Sequence, residues 1–184
     1  MTENIQYKTL VNQWLKAKRS MITPSTHANF ILIAENHLIP YFGKRKIGSI
    51  TEQDIQEYIM HLYNNGRLDK KGGLTVKTIR DVILVLRLSM EYAYRMKAIP
   101  LLNWELVEYP KELHPHRVVS LNKDDEQRLI QCIYMNLNRR TAGILIALFT
   151  GVRIGELCAL QMSDISLADK TITISKTVQR IYNK

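Results

Sequence analysis

Between Thr75 and Lys97 apolar side chains recur at Ile79, Val82, Ile83, Leu86, Met90 and Ala93. Steps of three and four residues bring a side chain back to the same side of a 3.6-residue turn, so the spacing predicts one long helix with a single buried face. Lys77, Arg80, Arg87 and Arg95 fall on the other side, interrupted by Glu91. A helix with so wide an apolar face needs partners, and the preceding residues supply three. Residues 5–18 carry Ile5, Leu10, Val11, Trp14 and Leu15; a second helix is predicted from about Thr26, with Phe30, Ile33, Ala34, Leu38 and Tyr41, until Gly43. Thr51, with Asp54 three positions on, has the form of a capping box opening a third helix through Ile55, Tyr58, Ile59, Leu62 and Tyr63 to Asn64-Asn65-Gly66. Met21–Ser25, Lys44-Arg45-Lys46 and the polar stretch Arg67–Gly73 read as connections, and Pro100 closes the long helix. The first part is therefore expected to be a four-helix unit.

Periodicity is lost between Pro110 and Ser120, where Pro115 stands between His114 and His116. Residues 110–120 are read as a linker between a helical domain, 1–109, and a second domain beginning at 121; His-Pro-His has no further ligands beside it and is not expected to hold a metal. In 121–184, Asn122 precedes the acidic first turn Asp124-Asp125-Glu126 of a helix running to about Leu137. Thr141–Phe149 is a more apolar helix ended by Gly151 in a left-handed conformation, and a short helix opens at Arg153. Thr171–Ile174 alternates as a strand after the turn Asp169-Lys170. The fold expected is mainly α, with the start of a mixed α/β domain whose sheet is begun and not finished.

Hydrophobic residues make up 46% and charged residues 23% of the 184, which favours neither a disordered chain nor a membrane class. No apolar run reaches about 18 residues, and Met1-Thr2-Glu3-Asn4 is not a signal-peptide start, so a cytoplasmic protein without membrane contact is expected. Cys132 and Cys158 lie in apolar helical patterns and are expected to be buried, unpaired thiols. The net charge is +9, with 15 Lys/Arg against 10 Asp/Glu in residues 1–110 and 11 against 7 in the remainder. Positive charge spread over both parts favours a polyanionic partner.

Chemistry concentrates in Thr150-Gly151-Val152-Arg153-Ile154-Gly155-Glu156-Leu157. An arginine just after a helix break joins a planar, permanently charged fork to the backbone N–H groups of the next helix start, an arrangement suited to phosphate. This segment, with Leu160 and Asp164-Ile165, resembles the first active-site motif of tyrosine recombinases of the phage-integrase family. Thr23-Pro24-Ser25-Thr26, Tyr41-Phe42-Gly43, Thr75–Ile79 and Leu121–Glu126 resemble successive parts of integrases from phages and conjugative transposons.

The resemblance implies a SAM-like core-binding domain, a linker and a catalytic domain that close around duplex DNA as a clamp, acting with other copies of the same protein. It implies strand cleavage through a 3′-phosphotyrosyl link, with no metal or other cofactor. Arg153 then corresponds to a catalytic group on the scissile phosphate and Glu156 to its supporting acid. The family's lysine, its His-x-x-Arg pair, a second His or Trp and the tyrosine nucleophile are expected beyond Lys184, which leaves this chain able to bind but not to cleave. Lys176 is read as a sheet or surface residue on a first strand, and Tyr182 is rejected as nucleophile because it follows too soon. Duplex contacts are expected from Thr26, Lys77, Thr78 and Arg80 at the two helix starts, and backbone-phosphate contacts from Lys44, Arg45 and Arg117. The alternative is a stand-alone protein that occupies recombination sites and competes with intact enzyme. An ordinary helix-turn-helix regulator leaves Arg153 and the start of a sheet unexplained.

Overall fold

The first helix, α1 (Tyr7–Lys18), buries Tyr7, Leu10, Val11, Trp14 and Leu15, the 3.6-residue stripe expected of it with Tyr7 added. This is a computed structural model, and it describes residues 4–111 and 120–181. Two compact units emerge, Met1–Pro115 with Ile181–Lys184, and His116–Arg180. The expected linker histidines His114 and His116, the contact residue Arg117 and the rejected nucleophile Tyr182 lie outside the described residues.

In the first unit, Thr23 caps α2 (Pro24–Ile33), its hydroxyl accepting the Thr26 N–H. The helical run continues through a π-turn, Ala34–Leu38, into α3 (Ile39–Phe42). Two facts about the sequence account for the wider turn. Pro40 has no N–H, and in an unbroken α-helix its ring meets the carbonyl four residues back. The buried residues Ala34, Leu38 and Phe42 are four apart; in an α-helix each such step overshoots by about 40°, and the π-turn, in which Ile39 N–H reaches back to the Ala34 carbonyl, takes up the drift. After Gly43, the segment around Arg45 to Ile47 pairs with the chain's start through Tyr7 N–H to Arg45 O (2.9 Å) and Ile47 N–H to Ile5 O (3.0 Å).

The capping box at Thr51 and Asp54 is present and opens α4 (Glu52–Asn65). Burial pushes the Asp54 carboxyl up, but hydrogen bonds from Arg45 and Thr51 outweigh it and hold the group below the usual carboxylate range. The long helix α5 (Val76–Arg95), capped by Thr75, packs against α1, α2 and α4 and buries every apolar residue that the spacing singled out. Ser89 is the buried polar residue on that face among the described residues; its one hydroxyl proton goes to Leu86 O, so it accepts from Tyr7 Oη at 2.9 Å. Glu91 bridges Arg87 (2.8 Å) and Arg95 (3.6 Å), so the interruption in the basic stripe is an ion-pair centre. Beyond the helix, residues 103–109 form a strap stapled to α4: Asn103 N–H donates to Glu52 Oε1 (2.8 Å), and the Gln56 amide makes both bonds to the Glu108 backbone (2.9 and 3.1 Å).

The second unit holds α6 (Lys123–Met135), α7 (Arg139–Thr150), α8 (Ile154–Ala159) and a hairpin of β1 (Ile165–Ser166) with β2 (Thr171–Ile172), antiparallel, in the register Ile165 opposite Ile172. Asn122 caps α6 and Asn138 caps α7, while Gly151 ends α7 at φ 69°, the left-handed position that glycine takes without penalty. Among its described residues Ile133 alone is buried. That overturns the expectation for the thiols: Cys132 and Cys158 are both exposed, on helices whose described residues bury only Ile133. The strand expected over 171–174 pairs only at Thr171–Ile172, since β1 is two residues long; Thr173 N–H adds one bond to Asp164 O (2.8 Å). Lys176 therefore lies beyond the paired residues and on no strand. No helix among the described residues is long and apolar enough to cross a membrane.

Candidate functional site

Arg153 stands where the sequence places it, at the residue that opens α8, with extended backbone (φ −69°, ψ 148°) two positions after the left-handed Gly151. One carboxylate organises it. Glu156 Oε2 accepts the Arg153 backbone N–H at 3.0 Å, and Oε1 accepts its guanidinium Nη1 at 3.0 Å. The backbone bond first, then the guanidinium, holds the Glu156 carboxyl below its usual range. The Arg153 side chain is 85% exposed, so a fork with five donors spends one on Glu156 and presents its remaining edge outward. The sequence reading had the guanidinium share an anion site with the backbone N–H groups of the helix start; the amide of Arg153 is already taken by Glu156.

Gly155 had no stated role in the sequence, and the fold gives it one. A Cβ there sits 2.7 Å from Thr177 Oγ1 and 2.9 Å from the Val178 carbonyl oxygen, while Val178 N–H donates to Gly155 O at 2.9 Å. The chain after β2 thus lies directly on the helix that carries Glu156. Gly155→Ala should force these segments apart at a cost of about 1–3 kcal/mol, and faster hydrogen exchange at the Val178 amide is the expected reading; unchanged exchange would show that the contact tolerates a methyl group.

The residues expected to contact a duplex divide into two kinds. Thr26 and Thr78 occupy matching positions: each hydroxyl lies 2.9 Å from the capping hydroxyl of its helix, Thr23 or Thr75, and each N–H donates to that cap at 3.3 Å. Lys77 and Lys44 are exposed. Arg80 is exposed as well and lies over the Tyr109 ring, 5.4 Å from its centroid. Arg45 is half-buried and tied to the fold's own groups, bonded to Asp54 Oδ1 (2.8 Å) and Ser49 O (3.2 Å). Sequence reasoning missed His37, on the π-turn, which with Arg67, Thr75 and Thr78 lines a concavity beside the start of α5. Burial lowers the pKa of His37, and Arg67 holds the Asp69 carboxyl down to about 2. The basic loop at Arg67–Lys71 was the available signal; nothing marked His37.

Residues 6–63 match the family described as phage integrase, N-terminal SAM-like domain. Over 182 residues the chain is 26% identical to the ICEBs1 integrase of Bacillus subtilis (strain 168), covering 96% of this chain and 46% of that protein. This chain resembles the tyrosine recombinases. The tyrosine recombinase XerC of Bacillus pumilus (strain SAFR-032) is 27% identical to it over 129 residues, 68% of this chain and 39% of that one. In fold, the Tn1549 transposon integrase in complex with circular intermediate DNA superposes with a TM-score of 0.68 at 19% identity, covering 94% of this chain and 55% of that one. A second structure of that integrase, with a different circular intermediate, gives 0.70. The chain spans less than half the length of the curated relatives it matches, 46% and 39%.

Proposed function

We propose that these 184 residues are the duplex-binding part and the opening of the catalytic part of a tyrosine site-specific recombinase that cuts and rejoins DNA through a 3′-phosphotyrosyl intermediate. The observation that carries this reading is the Arg153 guanidinium, exposed and held by Glu156 at a helix opening. Such a fork grips two non-bridging oxygens of a scissile phosphate and meets the charge that grows on them in the transition state, with Glu156 fixing its direction. In this reading residues 1–109 are the core-binding domain, 110–120 the linker and 121–184 the beginning of the catalytic domain. Thr26, Lys77, Thr78 and Arg80 contact the duplex, and Lys44 and Arg117 contact backbone phosphates. Arg45 acts mainly through Asp54, anchoring the turn that presents Lys44. Several copies assemble on one recombination site. The related ICEBs1 integrase and the DNA-bound Tn1549 integrase support the assignment.

In this reading the chain of 184 residues binds duplex DNA by itself without cleaving it. Its affinity for duplex DNA should fall steeply with salt, log K dropping by about 0.9 per phosphate neutralised for each decade of salt. Gel shifts across a salt series measure the slope, and a flat slope, or no binding to any duplex at low salt, would sink the reading. A nicked suicide substrate should give no SDS-resistant protein–DNA band.

A further inference from the structure

The strap at residues 103–109 does more than close the first unit. Between it and α5 lies a cavity of about 360 Å³, walled by Arg80, Asp81, Leu84 and Arg87 from the helix and by Trp104 and Tyr109 from the strap. That volume is within the range of small-molecule sites. Each guanidinium faces a ring: Arg80 lies 5.4 Å from the Tyr109 centroid and Arg87 lies 5.9 Å from that of Trp104. The indole Nε1 of Trp104 is buried without a hydrogen-bond partner among the described residues, an orphaned donor in the cavity's own wall. The walls are fixed by the Gln56 and Glu52 staples, which tie the strap to α4 rather than to the side chains of the cavity.

We propose that this cavity binds a single unpaired nucleotide, its base layered against the guanidinium–aromatic walls and its phosphate held by Arg80 and Arg87. Rings and guanidinium planes are surfaces on which any base stacks, and two cations seven residues apart on one helix face supply the anion contacts, Arg87 through the Nη nitrogens that its Nε bond to Glu91 leaves open. The rings separate this ligand from an acidic peptide, whose carboxylates have no aromatic face to stack, and Asp81 adds an acceptor for the exocyclic amino group that adenine carries. The site is distinct from the duplex contacts except for Arg80, and its test does not require the duplex reading to hold.

Two tryptophans are present, and Trp14 is sealed in the core, so emission that responds to a soluble ligand reports Trp104. Titration of the intact chain with dAMP should quench that emission saturably. Deoxyadenosine and inorganic phosphate, each carrying half of the recognition, should bind at least tenfold more weakly, and an acidic peptide should not compete. Arg87→Gln should weaken dAMP at least tenfold while the far-ultraviolet circular dichroism and Tm stay near those of the parent; Trp104→Phe should remove the signal, and equilibrium dialysis of dAMP against both variants reads binding without fluorescence. The proposal is overturned by the absence of saturable quenching up to millimolar dAMP, by full affinity in Arg87→Gln, or by an acidic peptide that binds as tightly as dAMP.

Discussion

Arg153→Ala, made in a recombinase that carries these residues together with its nucleophile, should lower strand cleavage by about 10²- to 10³-fold and leave duplex affinity within a few-fold. The fork is exposed and anchored at one point by Glu156, so its removal takes away little that holds the fold. On the proposed reading, what is lost is a group aimed at charge that appears only as the phosphate reacts. Arg153→Lys should fall nearly as far, because an ammonium cannot hold two oxygens and keep the Glu156 bond in one plane. The Glu156 carboxyl is held below its usual range, so the orienting contact is complete above the normal carboxylate value and is lost as pH falls through the depressed one. Lys77→Ala should show the reverse pattern, weakening binding before cleavage. Parallel binding and single-turnover cleavage assays decide the matter, and near-normal cleavage by Arg153→Ala would remove the residue on which the enzymatic reading rests.

Trp14→Ala should cost the first unit about 3–5 kcal/mol. Trp14 is 1% exposed and stacks on Phe30 with centroids 5.4 Å apart, joining α1 to α2. Domains of this size hold about 5–15 kcal/mol in total, so the variant sits near the edge of folding, and a urea midpoint that moves only slightly would show that α1 and α2 close over the gap. Trp14→Phe keeps the stack and should lose much less.

The helices were legible because their signals are local. Thr51 with Asp54, Asn122 ahead of its acidic turn, Gly151, and the i, i+3, i+4 rows on α1, α4 and α5 all act within a few residues, and the fold uses each of them. The arginine motif was legible for the same reason: Arg153 and Glu156 are three apart and meet across one turn. What escaped depends on contacts between distant residues. Tyr7 looks amphipathic by type, and only Ser89, 82 positions away, explains its full burial. Arg45 looks like a free cation in a basic turn until α4 brings Asp54 against it. Gly155 has no local reason to be glycine; Thr177 and Val178 supply it. The exposure of Cys132 and Cys158 escaped for a different reason, since periodicity says which face is apolar but not whether anything covers it.

The wide turn at Ala34–Leu38 bears on how this segment tolerates insertion and deletion. A π-turn amounts to one residue more than an α-helix needs for the same stretch of axis. Aligned with a relative whose helix is regular here, the chain should therefore show a one-residue gap at 34–38 while both flanks stay in phase. Deleting a residue in that window without replacing Pro40 drives the proline ring into the carbonyl one turn back, and replacing Pro40 alone leaves an extra residue with nothing to require it. The surplus residue and the proline form one heritable unit, and helices that lose either are expected to have lost both.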